Sequence, residues 1–308
     1  MVIKDNSSLP HADEIIAQQW RDLRRDVSLL DPSKFSDERR IALGFVDFVD
    51  QILDIRGLRQ GGIDVDPDIY KRDGGTKIEM RQLWNETAGA WPITESPYIY
   101  MLTMETLFKF LQVDSDKTGQ LILSEGSGPG LYETYMGNYL RGIGGFGVDI
   151  LPVDYSEKMV TINREILSLV RQPDGKPLGN VSPAVMDIED LSLGDKSVDQ
   201  ILCNNALHVV NDPKRAISEM ARVIDPDGLA WLYLFIEQNS RGIKREDLLD
   251  ELEAQKFVVY DLREFSTQRG QLDVVSSRLF VRAKFIPDKS GCSWRKGFGK
   301  DVTIQNGF

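Results

Sequence analysis

Leu121-Ile122-Leu123-Ser124-Glu125-Gly126-Ser127-Gly128-Pro129-Gly130 decides the fold: a short apolar run breaks into an acid and three alternating glycines. Leu121 to Leu123 carry no polar side chain, which suits a strand covered on both faces, as parallel strands are. Gly126, Gly128 and Gly130 let the backbone turn sharply and approach a ligand where a Cβ would collide. The apolar pattern from Leu131 to Leu140 predicts a helix, whose N-terminus would face that ligand with unpaired N–H groups. Glu125 selects the ligand, because a carboxylate at a strand tip suits a cation or hydrogen-bond donors and repels a bare pyrophosphate.

Working outward, strand-like and helical stretches alternate. Strands are expected at Gln120–Ser124, Gly145–Ile150, Val181–Met186, Ser197–Cys203 and Gly228–Ile236, and Phe257–Phe265 with Ser276–Phe285 reads as a hairpin around Gly270. The expected fold is α/β: a doubly wound, mostly parallel, Rossmann-like sheet with a C-terminal antiparallel hairpin, preceded by a helical N-terminal region. Expected boundaries are 1–115 for that region, 116–286 for the sheet domain and 287–308 for a polar tail.

The acid, the G-x-G-x-G spacing and the preceding strand together resemble the first motif of class I S-adenosylmethionine-dependent methyltransferases. Five alternating units closed by an antiparallel pair is the arrangement that family uses. A dinucleotide fingerprint would need glycine at 131, where the chain has Leu131, which disfavours a nicotinamide oxidoreductase. Gly142-Ile143-Gly144-Gly145-Phe146-Gly147 fits that fingerprint by letter, but it precedes a strand and leaves the helix dipole on the wrong side.

Glu125, Gly126, Ser127, Gly128 and Gly130 are then the expected cofactor turn. Nineteen residues after Gly130 stands Asp149, read with Ile150 as the tip of the second strand, where a carboxylate accepts ribose hydroxyls. In Met186-Asp187-Ile188-Glu189-Asp190 the resemblance implies that Asp187 accepts the adenine amino group and Ile188 gives its N–H; Glu189 and Asp190 lie close enough for the register to differ. The block Ser197 to Val210 with Asn211-Asp212-Pro213 looks like the fourth and fifth motifs of small-molecule, quinone-biosynthesis-type members. It places Asn204 and Asn205 beside the methionine part of S-adenosylmethionine. Asp212 suits a helix N-cap and Pro213 the first helical position. Nucleic-acid N-methyltransferases carry Asn-Pro-Pro-aromatic where this chain has Asn204-Asn205-Ala206-Leu207.

Methyl transfer from a sulfonium needs alignment and dryness, with a base only for a protonated nucleophile. His208 is the candidate base, Glu237 a second, and catalysis by proximity alone stays open. Trp91, Tyr98 and Tyr100 lie around Pro92 and Pro97 and are the candidate pocket wall, with Glu237, for an apolar or aromatic methyl acceptor. The alternative function is a non-catalytic protein that binds S-adenosylmethionine or S-adenosylhomocysteine as a regulator or partner.

A net charge of −11 repels phosphate backbones and anionic membranes, so no nucleic-acid or membrane partner is expected. Cys203 and Cys292 have no metal-site spacing, and Asp64, Asp66 and Asp68 lack the remaining calcium-loop positions, so no metal is expected. With no secretory leader and no long apolar run, a cytoplasmic enzyme is expected. Apolar residues from Ile41 to Leu53 give the second N-terminal helix a face broad enough for packing within the chain or for a homodimer.

Overall fold

The computed structural model describes residues 18–19, 22–23, 35–55, 77–88, 97–111, 118–144, 147–171, 175–236, 243–268 and 275–287. It separates into two compact units. The described part of the first includes a helical pair, α1 (Asp37–Ile55) and α3 (Pro97–Phe110, to Lys109). Phe45 of α1 is buried and meets Tyr100 of α3 edge-on at 5.8 Å, while Arg39 reaches Glu105 at 2.8 Å. The broad apolar face read from the sequence is thus at least partly spent inside this unit.

The second unit is the sheet with its helices. In chain order it comprises α2 (Lys77–Thr87), β1 (Gln120–Glu125), α4 (Leu131–Gly142), β2 (Val148–Asp154), α5 (Glu157–Leu169), β3 (Ala184–Val185) and β4 (Val198–Asn204). There follow α6 (Pro213–Val223), β5 (Ile224–Ile236), α7 (Arg245–Ala254), β6 (Phe257–Gln268) and β7 (Val275–Phe285). The expected boundary at 115/116 is drawn differently, because α2 groups with the sheet and not with the other N-terminal helices. The expected tail from 287 lies almost wholly outside the described residues, as do Asp64, Asp66 and Asp68.

The seven strands run β3-β2-β1-β4-β5-β7-β6. The first five are parallel, and β7 joins β5 antiparallel and turns back on β6. Alternation along β1 separates two chemistries. Leu123 packs into a core with Ile201, Leu232, Met220 of α6 and Leu249 of α7. Glu125, two residues on, shares that face, whereas Ser124 points to the other side and donates to Glu133 of α4.

The second strand departs from expectation by four residues. It was read as Gly145–Ile150, but β2 runs Val148–Asp154, with Leu121 opposite Asp149 and Glu125 opposite Val153. The apolar run continues past Asp149 through Ile150, Leu151 and Val153, and Pro152 is tolerated because pairing with β3 is broken there: a lone bridge at Ile150–Val181 gives way to a ladder only at Val153–Asp154.

Gly137 lets α4 close on the sheet, since a Cβ there would stand 2.4 Å from Val181 Cγ2. Asn180 reinforces the approach by donating to the Gly137 and Val148 carbonyls at 3.3 and 3.4 Å. Gly137→Ala gains helix propensity but overpacks this contact, so a net loss of about 1–2 kcal/mol is expected from urea denaturation. In a Val181→Ala background the same change should be neutral or stabilising; an equal loss in both backgrounds would refute the steric account.

Candidate cofactor and active site

Every parallel strand delivers its carboxyl end to one edge of the sheet, and the turn after β1 is bent to fit there. Gly126 has φ +61°, and a Cβ on it would come within 2.3 Å of Ala206 Cβ. Gly130, φ +67°, would overlap the Asn163 amide at 1.6 Å. Side chains are excluded at both positions by space as well as by backbone conformation.

Asp154, at the tip of β2, holds the turn. Its Oδ2 accepts the Gly128 N–H at 2.9 Å and its Oδ1 accepts the Ser156 N–H at 2.7 Å. Ser156 in turn caps α5 by accepting from the Met159 N–H at 3.1 Å. Burial pushes the Asp154 carboxyl up to about 6 against these two bonds, an effect that its remaining solvent contact tempers.

Asp149 is therefore corrected as the ribose-binding candidate, and Ile150 with it. Asp149 is exposed at the amino end of β2, and Ile150 is a buried mid-strand residue. Five residues of extended chain put Asp149 about 16 Å from the β2 tip. The acid at the expected place is Asp154, and a signal for it was available in Asp154-Tyr155-Ser156: a strand-end acid followed by a helix N-cap.

Other expected residues do gather at this edge. Glu125 lies opposite Cys203 of β4 in register. It is fully buried beneath the turn instead of standing in an open crevice, and neither oxygen receives a well-formed hydrogen bond. Burial drives its carboxyl well above the usual range, helped by the charge of Glu219, while the adjacent Cys203 thiol pulls weakly the other way. Asp187, just beyond β3, accepts the Glu189 N–H at 2.9 Å, and Ile188 is buried beside it. Asn204 ends β4; Asn205 follows in the left-handed region at φ +57°, its N–H bonded to the Tyr233 carbonyl.

His208 stands edge-on to Phe235 at 5.1 Å, with Nδ1 buried and unbonded. Desolvation and the charge of Arg278 depress its pKa to about 4, so the imidazole is neutral at pH 7 and a weak base. Among the pocket-wall candidates, Tyr100 is corrected: its ring is buried against Phe45 within the helical unit. Tyr98 begins α3 with its side chain outside the described residues, and Trp91 and Glu237 lie outside them altogether.

One acid was missed from the sequence. Glu133, 2% exposed in the first turn of α4, receives the Ser124 hydroxyl and leaves Oε2 unbonded; burial lifts its pKa to about 7. Its signal is an acid on the inward, apolar face of an amphipathic helix.

Buried atoms without partners around this edge include Glu125 Oε1 and Oε2, Glu133 Oε2, Asn204 Oδ1, Asn205 Oδ1 and His208 Nδ1, with Asn163 Oδ1 and Nδ2 beside Gly130. Most are oxygen or imidazole acceptors, with Asn163 Nδ2 a donor. They suit a ligand that brings an ammonium, hydroxyls and an amine, and they are unsuited to a pyrophosphate. Among the described residues, no group of three or more His, Cys, Asp or Glu could hold a metal ion.

A parallel sheet closed by an antiparallel pair is the arrangement expected of the class I methyltransferase fold, and buried polar atoms without partners surround its glycine turn. The family model described as a methyltransferase domain matches residues 123–232. Among solved structures, the chain is similar to a S-adenosylmethionine-dependent methyltransferase of Methanosarcina mazei at 17% identity, over 59% of this chain and 97% of that one, with a TM-score of 0.47. It is also similar to a chain of the complex between the Haloferax volcanii Trm112 methyltransferase activator and the putative methyltransferase (16%, 66% and 97%, TM-score 0.49). A third similarity is to Haemonchus contortus phosphoethanolamine N-methyltransferase 2 bound to phosphomonomethylethanolamine and S-adenosylhomocysteine (16%, 58% and 51%, TM-score 0.45). No curated protein sequence matches the chain significantly.

Two predictions follow from the corrected geometry. Asp154→Asn should weaken S-adenosylhomocysteine binding by about 10–100-fold in calorimetry, as loss of a charge-assisted acceptor does, whereas Asp149→Asn should change it less than about twofold. The reverse order would restore the original assignment. Glu133, with its carboxyl raised to about 7, contributes stability that is fully present below its unfolded value and lost as pH rises through 7. The ligand-free protein should accordingly lose melting temperature between about pH 5 and pH 8, by a cost on the order of 3 kcal/mol once Glu133 is ionised. Glu133→Gln should make that limb shallower, leaving the parts that Asp154 and Glu125 carry, and an unchanged slope in the variant would show that Glu133 carries none of it.

Proposed function

We propose that the protein transfers a methyl group from S-adenosylmethionine to an oxygen, nitrogen or carbon nucleophile of a small, apolar or aromatic molecule. The observation that carries this reading is the set of unpartnered buried acceptors around the glycine turn. The net charge of −11 supports a small-molecule acceptor over a nucleic acid, and the aromatic residues before β1 support an apolar one.

In this reading Asp154 takes the ribose hydroxyls, Asp187 takes the adenine amino group beside the Ile188 backbone, and the turn from Gly126 to Gly130 lies under the methionine part. Ser127, inside that turn, donates its N–H to the Val153 carbonyl at 3.0 Å and so pins the turn to β2. Glu125, whose carboxyl burial raises well above its usual range, accepts from the ligand's ammonium. Asn204 and Asn205 border the transfer point. The cofactor supplies an electrophilic methyl on a sulfonium. The chain's contribution is alignment and exclusion of water. His208 forms part of the acceptor wall, since an imidazole depressed to about 4 is poorly matched to removing a proton near neutral pH.

The experiment is release of S-adenosylhomocysteine across phenols, amines and carbon acids, with RNA and DNA as controls. Turnover confined to nucleic acid would overturn the proposed acceptor class, and tight cofactor binding with no turnover on any panel would favour the non-catalytic alternative. With an active acceptor in hand, His208→Ala should lower kcat by less than about tenfold, below the 100-fold or more that loss of a true general base costs. A larger loss with an altered pH–rate profile would make His208 the base.

A further inference from the structure

Helix α2 lies across the loops that follow β2 and β3, and it does so through one stripe of residues four apart. Lys77, Arg81 and Asn85 occupy successive turns of a single face. Arg81 Nε donates to the Tyr155 carbonyl at 3.0 Å with its guanidinium 4.9 Å from the centre of the Tyr155 ring. Asn85 Oδ1 accepts the Ser156 hydroxyl at 2.7 Å and the Lys158 N–H at 3.1 Å, so it helps cap α5. Lys77 Nζ donates to Asp187 Oδ2 at 2.6 Å and stands 2.7 Å from Glu189 Oε2. The stripe therefore grips the residues adjoining Asp154 at one end and reaches Asp187 at the other.

The Lys77 contact is the one with chemical consequences. Asp187 has a side chain about one-quarter exposed, 26%, and nothing in its own loop except the Glu189 N–H on Oδ1 fixes the plane of its carboxylate. Lys77 holds the second oxygen. A carboxylate oxygen offers two acceptor sites, so Oδ1 and Oδ2 each keep capacity for a further donor in a direction the two existing bonds define. Glu189 makes the arrangement stiff. Its side chain is 6% exposed, and it accepts the N–H groups of Asn211 and Asp212 at 2.9 and 3.3 Å, which ties Lys77 to the loop after β4 as well.

We propose that Lys77 is a positioning residue that aims the Asp187 carboxylate at the edge of the bound purine, and so sets the preference for a 6-amino over a 6-oxo base. The inference rests on the reading of Asp187 given above. A 6-amino group donates to a fixed carboxylate; a 6-oxo group turns an oxygen toward it, and the penalty for that mismatch is large only where the carboxylate cannot swing away. Removing the lysine frees that swing.

The test compares binding of S-adenosylhomocysteine and S-inosylhomocysteine to the full chain by calorimetry, for wild type, Lys77→Met, Lys77→Arg and Asp187→Asn. Wild type should prefer the adenosyl ligand by about 50-fold or more, within the range that a lost donor commands at a site built to receive one. Lys77→Met should cut that ratio at least fivefold, Lys77→Arg should restore it to within about twofold, and Asp187→Asn should collapse it. A mere loss of the strap would weaken both ligands equally, so an unchanged or increased ratio in Lys77→Met, with Asp187→Asn collapsed, overturns the role of Lys77 while the Asp187 reading stands. An unchanged ratio in Asp187→Asn, with melting temperature preserved, overturns the reading of Asp187 itself and the inference with it.

Discussion

The carboxylate of Asp154 is the constraint on which the cofactor edge depends. By accepting the Gly128 and Ser156 N–H groups it joins the turn after β1 to the start of α5. Two strand tips are thereby locked in one geometry by one side chain. Without it the glycine turn, whose backbone has the widest conformational choice in the chain, would have little reason to keep the shape that clears Ala206 and Asn163. The cost is a charge in a partly desolvated place, visible in the upward displacement of its pKa to about 6.

The same edge concentrates three acids, and their separate environments give them separate work. Asp154 is bonded to backbone, Glu133 to the Ser124 hydroxyl, and Glu125 to no well-placed donor. A site so rich in acceptors is electrostatically unsettled until a cation and donors arrive, which couples cofactor binding to proton release and to stability. Asp187 differs because it is already paired with Lys77. The Asp187 side of the edge is thus organised through α2, whereas the Glu125 side keeps unpartnered acceptors.

Much of this was legible from residue order. The apolar run before Glu125, the helix from Leu131, and the N-cap at Asp212 with Pro213 behind it all appear in place, because each rests on local chemistry that tertiary contacts reinforce. Glu219 and Arg222, three apart on α6, form the ion pair at 2.7 Å that their spacing suggests. The second strand was misplaced for an equally physical reason. An alternating strand segment has several registers with similar local merit, and Asp149 and Asp154 both terminate plausible apolar runs; the helix N-cap after Asp154 favours it locally, and pairing with β1 decides. Tyr100 went wrong because an aromatic ring is as well suited to a helix–helix seam as to a pocket wall, and Phe45 claimed it.

The sequence by itself determined the parallel α/β sheet, its antiparallel close, the glycine turn and the acid beneath it, since strand burial, helix capping and left-handed glycine positions are properties of short segments. Tertiary structure settled what local signals only suggested, that Asp154 reaches the β2 tip and Glu133 turns inward onto Ser124, and it alone decided that α2 leaves the other N-terminal helices to join the sheet through Lys77, Arg81 and Asn85. These are contacts between residues up to 110 positions apart. Their partners are chosen by register and packing, which no local pattern encodes.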